Sequence, residues 1–172
     1  MSHLWSRLPL PEQHVAGLLV GLALDRLILC RWPRWTRSMG LVLAAIGVLV
    51  NAEAVRSRGS DGLDRPTALV RSGPYAWSRN PMYVGWSVLH LGIALAARSP
   101  GTSITWPVAV VLVHREIRRE EGQLADRFGA DFISYAASVP RYLDRGAVRS
   151  VIRSARARAR RRPLRSGTTR RA

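Results

Sequence analysis

Two polar stretches of the sequence carry residue types that can handle a charged small molecule. The first is Val70-Arg-Ser-Gly-Pro-Tyr-Ala-Trp-Ser-Arg-Asn-Pro-Met-Tyr-Val-Gly85. Gly73-Pro74 reads as a turn, and Pro81 suits the first turn of a helix with Asn80 as its N-cap. A helix start presents unpaired N–H groups and the positive end of a dipole, a setting for a carboxylate or phosphate. Arg79 and the hydroxyls of Tyr75 and Tyr83 add fixed donors. The second stretch, Arg115-Glu-Ile-Arg-Arg-Glu-Glu121, is followed by Phe128-Gly129, Phe132, Tyr135 and Val139-Pro-Arg-Tyr142. Glu120 and Glu121 form a carboxylate pair suited to a cationic ligand. Each stretch alone also has a plainer reading. The first can be an interfacial Tyr/Trp/Arg anchor, and the second a solvated face whose Glu116, Arg119 and Glu120 make ion pairs worth a few tenths of a kcal/mol.

The elements that must position these residues are apolar. Of 172 residues 47% are hydrophobic, which excludes disorder for most of the chain. They gather in four runs, Val15 to Cys30, Met39 to Val55, Met82 to Ala97 and Ile104 to His114. Such bunching points to a membrane rather than a soluble core. The expected fold is all-α, an integral membrane bundle of about four transmembrane helices with a cytosolic C-terminal helical extension. The first run is barely long enough and carries Asp25 and Arg26, tolerable only near its end. Its Gly17 and Gly21 have the spacing of close helix packing or of simple composition drift. The Pro-Gly pair in Arg98-Ser-Pro-Gly101 makes runs three and four a hairpin. Helical composition continues past His114 to Tyr135, with Ile117, Leu124 and Phe128 as apolar positions and Gly122 as a weak point. The loop Arg56 to Pro81 is too long for a mere connector. Residues 1 to 13 read as an interfacial lead rather than a signal peptide.

Charge sets the orientation. All 27 basic residues are arginine, against 11 acidic ones, for a formal charge of +16. Residues 145–172 hold 11 of those arginines and no acid, so two parts are expected: 1–144 in the membrane and an Arg-rich, flexible cytosolic tail. An even number of spans gathers Arg7, Arg56, Arg58, Arg65, Arg71, Arg79 and the tail on one face, which is then cytosolic. Arg31, Arg34 and Arg37 fall on the other face beside Trp32 and Trp35. The tail suits anionic lipid headgroups at about 1 kcal/mol per arginine, or a disordered extension. Nucleic acid is the weakest reading, because no aromatic residues interleave the arginines. The single cysteine, Cys30, excludes an internal disulfide and a Cys-based zinc site, and no metal is expected.

Taken together, the two stretches resemble the isoprenylcysteine carboxyl methyltransferase family, itself related to phospholipid N-methyltransferases and to small-thiol S-methyltransferases of membranes. The resemblance rests on Gly73, Pro74, Tyr75, Arg79, Asn80, Pro81, Met82, Tyr83 and Gly85, then on Glu120, Glu121, Leu124, Phe128, Gly129, Tyr135, Val139, Pro140 and Arg141. It covers residues 70 to 142. Asn80 stands where the family most often has histidine, Phe132 where a tyrosine is usual, and a proline common shortly after Val-Pro-Arg is absent. Asparagine cannot take a proton, which disfavours a general base at that position.

The resemblance implies transfer of a methyl group from S-adenosylmethionine to a lipophilic or membrane-associated small acceptor, a carboxylate, amine or thiol, at the cytosolic face. By that likeness Gly73, Pro74, Tyr75, Arg79, Asn80, Pro81, Tyr83, Glu120 and Glu121 hold the cofactor. Glu120 and Arg141 take the catalytic roles, orienting substrate or cofactor. The location implied is a bacterial inner membrane, with site and C-terminus cytosolic. Competing expectations are a nicotinamide-dependent enzyme like the membrane sterol reductases, a membrane-anchored basic binding module, and a small structural membrane protein.

Overall fold

The computed structural model describes residues 11–58, 69–143 and 146. The first ten residues, the middle of the long loop and the basic tail lie outside the described residues, and the expectations for lead and tail fall there. The described part is all-helical: α1 (Glu12–Leu24), α2 (Thr36–Arg58), a 3-10 turn (Gly73–Ala76), α3 (Pro81–Ala96), α4 (Pro100–Phe128) and α5 (Ala130–Ser138). α2 packs along α3, α3 against α4, and α4 along α1, which also touches α3.

Small residues allow these contacts. A Cβ on Gly47 of α2 would stand 2.7 Å from the Gly85 carbonyl oxygen and 2.7 Å from the Leu89 nitrogen of α3. Gly17 and Gly21 do serve close packing: Gly21 abuts the Thr102 backbone, and Thr105 Oγ1 donates to the Gly17 carbonyl at 2.7 Å. Where lipid supplies no hydrophobic drive between helices, such close approach and interhelical hydrogen bonding hold a bundle together. A buried polar chain joins three helices. His14 Nδ1 and His90 Nδ1 are within hydrogen-bond distance at 3.0 Å, Ser87 Oγ lies 3.2 Å from His14 Nε2, and Trp106 Nε1 donates to the Ser87 carbonyl at 2.9 Å.

Three expectations are corrected. The first apolar run reaches Cys30, yet α1 stops at Leu24, and the next residue, Asp25, uses its Oδ1 to accept from the Gly101 N–H at the start of α4, at 2.8 Å. The helix after His114 does not run on to Tyr135. It ends at Gly129, whose φ of +51° is a left-handed conformation suited to glycine, and α5 leaves at a new angle. Gly122 does not break α4, which also runs through Pro107. As to span number, α2 alone among the described residues is long and apolar enough to cross a membrane; α1 and α3 are shorter apolar helices. α1, α2 and α4 turn Leu19, Leu22, Leu41, Val42, Leu49, Ile104 and Val108 outward.

Candidate functional site

The loop leaving α2 is shaped by the Gly73–Ala76 turn. Gly73 takes φ +58° against the Ser57 side chain, and Pro74 and Tyr75 are buried. Tyr75 packs with Ala54 and Met82, and its carbonyl accepts from Tyr135 Oη at 2.7 Å. Burial pushes the Tyr135 hydroxyl up to about 12, so it remains a donor. α5 is held in turn by a core in which Phe132, Tyr135 and Val139 meet Leu69, Leu124 and Phe128. Phe132 therefore fills space where a hydroxyl would need a partner.

The chain after α5 then doubles back across the start of α3. The Arg79 N–H donates to the Pro140 carbonyl at 2.9 Å, and Ser78 Oγ and Asn80 Nδ2 donate to the Arg141 carbonyl at 3.2 and 3.3 Å. Asn80 does occupy the N-cap position of α3, but its side chain makes no capping bond. Its amide instead donates to Glu121 Oε1 at 2.9 Å. Arg141 donates from Nε and Nη2 to Glu121 Oε2 at 2.9 and 2.7 Å, and Arg79 Nε stands 3.4 Å from Oε1, an ion-pair contact short of hydrogen-bond geometry.

In front of this arrangement lies a cavity of about 410 Å³, within the range of small-molecule sites. Its described lining comes from the end of α2 (Arg58), the loop (Tyr75, Arg79, Asn80), the start of α3 (Pro81, Met82, Tyr83, Trp86) and α4 (Glu116, Glu120, Gln123, Leu124, Arg127). Tyr83 Oη donates to Glu120 Oε1 at 2.6 Å across it. The adjacent carboxylates sit in opposite settings. Burial holds the Glu120 carboxyl above its ordinary range, and the Tyr83 bond and the nearby Arg58 offset only part of that. Burial would raise Glu121 too, but donors on Arg141 and Asn80, with the Arg79 charge, bring it below its ordinary range.

The phospholipid methyltransferase family model matches residues 35–131, more than half of the chain. The chain belongs to this family. The protein-S-isoprenylcysteine O-methyltransferases of mouse and human are each 29% identical to it over 123 residues, 63% of this chain and 43% of theirs. The nickel-cobalt-cadmium resistance protein NccN of Alcaligenes xylosoxydans xylosoxydans is 29% identical over 107 residues, 62% of this chain and 47% of its own. The chain spans less than half the length of these curated relatives.

As a member of the phospholipid methyltransferase family, the chain keeps every described lining residue of the cavity inside the matched segment. Of the residues singled out from sequence, Tyr75, Arg79, Asn80, Pro81, Tyr83 and Glu120 line the cavity. Gly73, Pro74, Glu121 and Arg141 are not among its lining. Gly73 and Pro74 shape the turn, and Glu121 and Arg141 pair behind the wall. Sequence reasoning gave no site role to Arg58, Trp86, Glu116, Gln123 and Arg127, and it named Met82 and Leu124 only as residues that carry the resemblance. The signal for most of them was present: Glu116, Glu120, Gln123 and Arg127 follow the i, i+4, i+7 rhythm of one helix face, and Trp86 stands three residues after Tyr83.

Proposed function

We propose that the cavity binds S-adenosylmethionine and that the protein transfers its methyl group to a lipophilic acceptor at the cytosolic face of a membrane. The observation that carries this reading is the meeting of Tyr83 and Glu120, from two stretches far apart in sequence, in one cavity of suitable volume. The donor set suits the cofactor. Carboxylates of Glu120 and Glu116 match an amine and a sulfonium cation, Arg79 matches an amino acid carboxylate, and Trp86 and Tyr75 offer rings to an adenine. When bound, S-adenosylmethionine supplies an electrophilic methyl on a positively charged sulfur.

The chain's own contribution is placement. Tyr83 fixes the Glu120 carboxylate, Tyr75, Met82 and Leu124 give the cavity an apolar wall, and alignment of donor and acceptor lowers the barrier. Asn80, whose amide cannot take up a proton, takes no part as a base. The outward apolar faces of α1, α2 and α4 support burial in lipid, from which a lipophilic acceptor reaches the cavity sideways. Relatives named for isoprenylcysteine O-methylation support a lipidated carboxylate as one such acceptor.

The test is competition binding of S-adenosylhomocysteine against NADPH on detergent-purified protein. Saturable S-adenosylhomocysteine binding that is lost in Glu120→Gln supports the proposal. Binding of NADPH alone overturns it in favour of the reductase reading.

A further inference from the structure

Glu121 is the most heavily engaged carboxylate among the described residues, and no ligand is needed to satisfy it. Oε1 accepts from Asn80 and faces Arg79, while Oε2 accepts both donors of Arg141, and the side chain is only 9% exposed. Its neighbour Glu120 opens into the cavity; Glu121 points the other way, into the joint between α3, α4 and the returning segment Val139–Tyr142.

That joint decides where two cavity residues stand. Arg79 and Asn80 line the cavity with one side and touch Glu121 with the other. The returning segment gives them backbone acceptors, the Pro140 and Arg141 carbonyls. The Arg141 guanidinium fastens that segment to α4 with two charge-assisted bonds to the single oxygen Glu121 Oε2, beside a neutral link from Tyr142 Oη to His114 Nδ1 at 2.6 Å.

We propose that Glu121 is a positioning residue: through Arg79 and Asn80 it sets the cavity wall, and through Arg141 it clamps the Val139–Tyr142 segment over that wall, so that Arg141 acts through Glu121 and not on the substrate. The inference rests on the methyl-transfer reading for its kinetic readout, but its structural readout does not depend on activity. Three backbone-directed bonds to the segment survive loss of the carboxylate, so Glu121→Gln retains the fold while loosening the clamp.

The experiment uses full-length protein in detergent. Kinetically, Glu121→Gln and Arg141→Gln each raise KM for the methyl donor about tenfold, the loss expected of a charge-assisted bond, with kcat at saturating donor and acceptor unchanged. The double variant is no worse than either single one, because both changes break one clamp. Structurally, spin labels at Arg56→Cys and Leu143→Cys, both at exposed positions and the second directly after the clamped segment, are placed in a Cys30→Ser background, and their distance distribution broadens when Glu121→Gln is added. A fall in kcat with KM unchanged, or additive losses in the double variant, overturns the proposal. So does an unaltered label distance. Should Glu121→Gln fail to fold, Arg141→Gln carries both readouts alone. If the wild type binds no S-adenosylhomocysteine, the methyl-transfer reading falls, and the label distances still decide for or against the clamp.

Discussion

Tyr83 Oη and Glu120 Oε1 are 2.6 Å apart, a short bond from the first turn of α3 to the sixth turn of α4 that joins two lining residues of the cavity. Removing the hydroxyl leaves a half-buried carboxylate without its donor. Tyr83→Phe is expected to weaken donor binding about tenfold, in line with a hydrogen bond to a charged group. The carboxyl, already held up by burial, rises further. Because the ionised form is the one that pairs with a cation, binding by the wild type falls as pH drops through that raised range, and in Tyr83→Phe the fall begins at higher pH. Calorimetric titration with S-adenosylhomocysteine across the acid range checks both statements.

The α2–α3 contact is governed by glycine backbones. A methyl group on Gly47 meets the Gly85 carbonyl and the Leu89 nitrogen, and neither backbone atom can swing aside as a side-chain tip would. Gly47→Ala should cost about 1 to 3 kcal/mol, typical of overpacking, and lower the thermal midpoint. Gly122→Ala is the contrast. It has nothing within 4 Å of the new Cβ and sits inside α4, so the same substitution should stabilise by up to about 1 kcal/mol through helix propensity.

Much of this arrangement was legible in the sequence for a physical reason. Apolar runs and proline positions are local signals, and they located α2, α3 and the hairpin to within a few residues of their observed ends. The Tyr75-to-Tyr83 stretch and Glu120 were found because polar residues in an apolar chain are costly unless used. What escaped was settled by contacts distant in sequence. Asn80 looks like an N-cap because capping is local chemistry, yet its amide is drawn to Glu121, 41 residues away. Two adjacent glutamates look like one carboxylate pair, but successive helix residues point about 100° apart, so one reaches the cavity and the other the joint behind it. Arg58 carried no signal, since only the packing of α2 along α3 brings the end of α2 to the cavity.

Asp25 illustrates the same limit at the other end of the bundle. Inside an apolar run it reads as a liability, and in the fold it caps α4 by accepting from Gly101 at 2.8 Å. Asp25→Ala should cost about 1 kcal/mol, as loss of a capping acceptor does, and Asp25→Asn, which keeps an acceptor, considerably less. The bond lies at the start of α4, remote from Glu120, so affinity for S-adenosylhomocysteine stays unchanged in both. Thermal melts paired with binding titrations check the separation.

The Asn80 amide sits between two acceptors, Glu121 Oε1 at 2.9 Å and the Arg141 carbonyl at 3.3 Å, and that predicts an unusual pH response for Asn80→Asp. The new carboxylate faces a carboxylate and a carbonyl with no proton to offer either. Arg141 is already committed to the other oxygen of Glu121, which leaves Arg79, at 3.4 Å from Oε1, to offset two facing acceptors. One cation does not suffice, so one carboxyl of the pair binds a proton in the folded state more tightly than in the unfolded chain. A group with a raised folded-state value stabilises the fold below its unfolded range and loses that contribution as pH rises through the raised value. Glu121 in the wild type has the opposite sign: its lowered carboxyl stabilises at all pH above the ordinary carboxylate range and fails only in acid. Measured relative to wild type between about pH 5 and about pH 8, the thermal midpoint of Asn80→Asp should therefore fall steadily with rising pH, and donor affinity with it. A pH-independent offset between the two proteins would mean that the Asn80 amide does not contact Glu121.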